Sequence, residues 1–111
     1  MNMKTLSPFE LHDAALDWAV AQCLGRPVTI GTYYEDKVIY VAPFDGREFA
    51  PSRTWGTGGP ILQDAARHDP VFWENWKSRF PHSSPDILET ALQCLVASLF
   101  KEGINVPVEL L

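Results

Sequence analysis

Apolar residues recur at helical spacing near the start of the chain, with Leu11, Ala14, Ala15, Trp18, Ala19 and Ala21 falling on one face. Ser7, Pro8 and Glu10 precede them as the N-cap, first and third positions of a capping box. There the hydroxyl and the carboxylate satisfy amides that have no partner in a first helical turn. Gly25 followed by Pro27 ends this helix. The alanines allow a second element to approach closely, and Trp18 supplies the bulk.

The pattern then changes. Val28-Thr29-Ile30 and Val38-Ile39-Tyr40-Val41 are β-branched and aromatic, and predict two strands joined by a hairpin whose tip is Glu35-Asp36-Lys37. Pro43 and Asp45-Gly46 end the second strand in a turn. Residues 47–70 hold three prolines, three glycines and no sustained period, which reads as an irregular loop. Within it, Ile61 to His68 forms a short helix headed by Pro60. Phe72, Trp73, Trp76 and Phe80 fit a helical face, yet their aromatic enrichment also suits a strand. The reading favours a strand over Trp76 to Phe80.

The last stripe is the longest: Ile87, Leu88, Ala91, Leu92, Leu95, Val96, Leu99 and Phe100. Ser84 is its expected N-cap and Pro85 its first residue. Asp86 and Glu89 complement the positive helix end, and Gly103 closes the other. The tail from Asn105 is expected to be extended and to pack back on the body. Together these elements predict a single α+β domain over residues 1–111. A small antiparallel sheet of three or four strands would pack against an N-terminal and a long C-terminal helix, with an irregular Gly/Pro-rich loop between.

Composition narrows the function classes. The 111 residues carry 9 Lys+Arg against 14 Asp+Glu, a net charge of −5. Contact with nucleic-acid polymers or anionic lipid takes clustered cations, so neither partner is expected. No apolar run is long enough to span a bilayer and the N-terminus has no secretory pattern, so a cytoplasmic location is expected. Cys23 and Cys94 lie far apart within apolar helical patterns and form no C-x-x-C pair. They are expected to be reduced core thiols rather than a disulfide, zinc or redox pair. His12, His68 and His82 show no metal-ligand spacing, so neither metal nor cofactor is expected. No Gly-x-Ser-x-Gly elbow or paired-carboxylate motif suggests an enzyme.

The segment from Ala50 to Pro60 is the candidate site. Gly58 and Gly59 can expose amides to an anion, and a helix opening at Pro60 would add its dipole. Ser52 and Arg53 can hold a phosphate, and Trp55 or Tyr34 offers a flat face for a base or sugar. The same residues are also compatible with a structural loop whose Trp55 plugs the core.

Three blocks in order resemble the NinX-like proteins of tailed phages. They are Ala14-Ala15-Leu16-Asp17-Trp18-Ala19-Val20-Ala21 with Cys23; Ala50-Pro51-Ser52 with Trp55 and Gly58-Gly59-Pro60-Ile61; and Cys94-Leu95-Val96-Ala97-Ser98 with Val106-Pro107. The resemblance implies a small phage accessory protein working in the cytoplasm of a bacterial host, dispensable for virion assembly. It supplies no catalytic residues. Combined with the Gly-rich aromatic loop, it leads to the expectation of a non-enzymatic module. Such a module would sequester a small anionic, nucleotide-like immune signal of the host, in a pocket of the kind often shared by a homo-oligomer. The alternatives are an inhibitor that binds a host enzyme or regulator through exposed aromatics, and a small hydrolase that degrades the signal.

Overall fold

The computed structural model describes residues 2–33, 36–41, 47–79 and 86–111. In chain order the elements are β1 (Met3–Leu6), a single 3-10 turn (Pro8–Glu10), α1 (Asp13–Leu24), β2 (Val28–Tyr33) and β3 (Asp36–Val41). They continue with α2 (Trp55–His68), α3 (Pro70–Arg79), α4 (Ile87–Leu99), β4 (Ile104–Pro107) and a closing 3-10 turn (Val108–Leu110). The architecture is α+β.

Its axis is α4. Every residue from Thr90 to Ser98 is buried, so this helix is covered all round rather than along one stripe. α1, α2, α3 and the first 3-10 turn all pack on it. The small side chains of Ala15, Ala19 and Ala21 on α1 and Ala91 on α4 permit close approach, while Leu16, Val20, Leu92 and Val96 fill the space between. Two buried polar groups are satisfied on the way. Gln93 Nε2 donates to the Leu11 carbonyl at 2.7 Å, and the Ser98 hydroxyl donates to the Leu95 carbonyl at 2.7 Å.

The sheet differs from the expected one. Among the described residues there are two separate antiparallel pairs, β1 with β4 and β2 with β3. The expected packing-back of the tail is the β1–β4 ladder, with Met3 opposite Pro107 and Leu6 opposite Ile104. β1 itself went unpredicted because Met-Lys-Thr-Leu is too short and too exposed to show a period. In the hairpin, Tyr33 faces Asp36, so Asp36 and Lys37 belong to β3 rather than to the tip. Glu35 lies outside the described residues.

Helix boundaries also moved. The capping box at Ser7 forms, with the Ser7 N–H donating to Glu10 Oε2 at 3.2 Å, but it heads the 3-10 turn and not α1. α1 starts at Asp13, after His12 turns the chain without a side-chain cap, and Gly25 ends it at φ 63° as expected. The stretch read as irregular is largely helical: α2 begins at Trp55, with Pro60 inside it. Tertiary packing overrides the weak local propensity of Gly-Thr-Gly-Gly-Pro, because Gly58 is pressed between Pro51 and Leu88. The strand expected over Trp76 to Phe80 is corrected as well. Asp69 Oδ1 accepts from the amides of Val71 and Phe72 at 3.0 and 3.1 Å, Pro70 takes the first position, and α3 follows. The N-cap of α4 is Asp86, whose carboxylate accepts from the Glu89 amide at 3.0 Å. Ser84 and Pro85 fall outside the described residues.

Candidate functional site

The segment before α2 is pinned from two sides. The Phe49 N–H donates to the Ile39 carbonyl at 2.6 Å, which ties it to β3, and the Phe49 ring is buried. The Ser52 N–H donates to Asp17 Oδ1 at 2.8 Å, which ties it to α1. Asp17 lies in the middle of the alanine face and is only 1% exposed. Its second oxygen and the neighbouring Ser52 hydroxyl are both buried without a hydrogen-bond partner, so the two sit side by side without closing a bond of normal geometry. Burial pushes the Asp17 carboxyl up from its ordinary 3.8 to about 6. The Ser52 backbone N–H, the Ser52 side chain and the Arg53 guanidinium pull it back, while Glu48 adds to the rise.

This clasp sets the position of Arg53, the next residue. Arg53 lines a cleft of about 440 Å³ together with Asp13, Ala14, Lys37, Glu109 and the last two residues. Its walls carry both signs of charge. Lys37 Nζ lies 3.9 Å from Glu109, and Arg53 pairs with Glu48. Asp13, at the head of α1, sits at φ 50°, a left-handed conformation that Asp tolerates better than most residues.

The sequence-predicted residues are therefore distributed unevenly. Arg53 faces the cleft, and Ser52 is spent on the clasp beneath it. Trp55 is 60% exposed at the first turn of α2 and is absent from the cleft wall; it does not plug the core. The amide nest expected at Gly58–Gly59 is not formed. The Gly58 N–H donates to the Thr54 carbonyl at 2.8 Å, and Gly59 lies in the same helical ladder. Gly58 has a packing reason instead: a Cβ there would stand 2.5 Å from the Pro51 carbonyl oxygen. Tyr34 lies outside the described residues. Sequence reasoning missed Asp17, Asp13, Lys37 and Glu109. Only Asp17 left a signal, as a carboxylate embedded in an apolar helical face.

Cys94 is buried, and burial pushes the Cys23 thiol up to about 12. Among the described residues no group of three or more His, Cys, Asp or Glu side chains is placed to hold a metal ion. No described helix is long and apolar enough to cross a membrane.

Fold and site define a small α+β domain built around one enclosed helix, with a cleft of mixed charge over its flank. A family described as Bacteriophage P22, NinX matches residues 9–100, and the chain belongs to that family. Neither the curated proteins nor the solved structures contain a match.

Proposed function

We propose that this phage protein is a non-enzymatic binding module that sequesters a small phosphorylated, nucleotide-like signal of its bacterial host. The observation that carries the reading is the presence of two cations, Arg53 and Lys37, and two carboxylates, Asp13 and Glu109, around one cleft. A volume of about 440 Å³ lies within the roughly 300–1,000 Å³ of small-molecule sites. Guanidinium and ammonium groups take phosphate oxygens, and carboxylates accept from sugar hydroxyls, so a ribose phosphate answers both kinds of wall. Each cation already holds a carboxylate that a phosphate can replace, which makes capture an exchange of partners rather than the burial of a bare charge.

Calorimetric titration with cyclic dinucleotides and cyclic ADP-ribose isomers tests the proposal. Binding is expected, and Arg53→Ala should weaken it about ten- to a hundredfold, the loss of one charge-assisted contact. No heat and no thermal shift across the panel would remove the idea. Mass spectrometry of what heat releases from protein made in signalling host cells separates capture, which returns the ligand intact, from hydrolysis. The same preparations reveal whether ligand is held by one chain or by a homo-oligomer.

A second reading is supported by Trp55. An indole 60% exposed on an acidic protein suits an interface with a host enzyme or regulator. A stoichiometric host partner lost on Trp55→Ala, with no retained small molecule, would favour that reading.

A further inference from the structure

A second hollow lies further along α1. It has a volume of about 320 Å³ and is lined by Trp18, Gln22, Phe100, Gly103, Ile104 and Asn105. None of these side chains carries a charge, in contrast to the cleft around Arg53 and Lys37. Two aromatic rings, both partly buried against the core, provide flat apolar surface. Two carboxamides on exposed residues stand at its rim. Among the described residues the Gln22 carboxamide makes no hydrogen bond. Asn105 uses its oxygen to accept from the Thr5 hydroxyl, which leaves its NH₂ hydrogens to give. Carboxamides present a donor and an acceptor side by side, the arrangement that pairs with the amino group and ring nitrogen of a base edge.

The two hollows draw walls from the same two stretches of chain, with different residues at each. Ala14 lines the charged cleft, while Trp18 and Gln22 line the uncharged groove, and these three residues are four apart on one stripe of α1. At a rise of about 1.5 Å per residue, Trp18 lies about 6 Å and Gln22 about 12 Å beyond Ala14 along the helix. The opposite wall is likewise one stretch of chain, with Ile104 and Asn105 at the groove and Glu109 at the cleft. A ligand with an anionic end and a flat uncharged end therefore meets matching surfaces in that order along α1.

We propose that the groove between Trp18 and Phe100 is a nucleobase subsite. In it the ring lies against the aromatic side chains, and its edge is read by Gln22 and Asn105. The proposal rests on the preceding reading of the cleft only for where the phosphates go. It reassigns the stacking role from Trp55 to Trp18.

Two-dimensional amide NMR with two separate probes tests it. Adenosine, which has no phosphate, should move the Trp18 indole signal and the side-chain amide signals of Gln22 and Asn105, and leave the Trp55 indole in place. Pyrophosphate should move Lys37 and Arg53. Gln22→Glu, an exposed position where nothing is unpacked, should weaken the adenosine response about tenfold through one lost contact and an unmatched charge, with its melting temperature retained. Asn105→Asp provides a second variant at an exposed site. Adenosine that leaves these signals still at millimolar concentration, or that shifts only Trp55, overturns the subsite even if pyrophosphate binds. Adenosine binding without a pyrophosphate response sustains the subsite and counts against the charged cleft as a phosphate site.

Discussion

Replacing Asp17 by Asn is the perturbation that most directly tests the electrostatics of the clasp. The carboxyl is enclosed, and its pKa rises from 3.8 to about 6, because burial penalises the charged form more than Ser52 and Arg53 favour it. A pKa that is higher in the folded protein means the folded state binds this proton more tightly than the unfolded chain does. The stability due to this proton is therefore complete below about pH 4 and is lost as pH rises through about 6. At about 1.4 kcal/mol per pKa unit, the span from 3.8 to about 6 corresponds to about 3 kcal/mol. Asn does not ionise. Its oxygen can keep the 2.8 Å bond from the Ser52 amide, and its NH₂ can donate to the Ser52 hydroxyl, which has no partner in the wild type. Asp17→Asn should therefore be more stable than wild type by about 1–3 kcal/mol near pH 7.5 and by no more than about 1 kcal/mol near pH 4.5. Urea denaturation at both pH values gives the difference directly, and other titrating groups cancel between the two proteins. At the higher pH the melting temperature should rise by several degrees, as about 1 kcal/mol moves a domain of this size by roughly 4–8 °C. A variant less stable than wild type near pH 7.5, or a difference that does not change with pH, would refute the reasoning.

Three further outcomes follow from packing, capping and thiol chemistry. Gly58→Ala places a Cβ 2.5 Å from the Pro51 carbonyl oxygen and 2.9 Å from Leu88, and should lower stability by about 1–3 kcal/mol. Gly59→Ala, whose Cβ among the described residues meets only the Trp55 ring at 3.9 Å, should leave stability unchanged or raise it by up to about 1 kcal/mol; denaturant midpoints compare the two. Asp86→Ala removes the cap on the Glu89 amide and should cost about 1 kcal/mol by the same measurement, with the far-ultraviolet spectrum of the folded protein retained. Cys23, with its pKa pushed up to about 12, should react with a thiol reagent near pH 8 far more slowly in the native protein than after denaturation.

The sequence was most informative where a single face carried the pattern. The Ala14–Ala21 stripe gave α1, the Ile87–Leu99 stripe gave α4, and Gly25 gave the stop between α1 and β2. It misled where local chemistry and tertiary packing point in different directions. Trp55-Gly-Thr-Gly-Gly-Pro carries every signal of a loop, yet it starts a helix because Gly58 fits against Pro51 and Leu88. The aromatics after Pro70 suit two periods, and the deciding feature was Asp69 capping α3, not the rings. The candidate site shows the same division. Arg53 could be proposed from its residue type and its neighbours. Lys37 and Glu109 meet it only because the hairpin and the closing turn fold to one place, and their spacing in sequence carries no trace of that. Asp17 left a signal that went unused, a carboxylate within the alanine face, and nothing in the sequence joins it to Ser52, 35 residues away.

The β1–β4 ladder gives the binding surface a timetable. Both hollows draw a wall from residues 103–111, and β4 is held by pairing with Met3–Leu6. Joining segments about a hundred residues apart carries a closure entropy on the order of 4 kcal/mol, so the ladder needs an already collapsed helical body to set its strands together. The helical body, with α1, α2 and α3 packed on α4, can thus form while both hollows still lack a wall. Readiness for a ligand arrives only when the two strands pair.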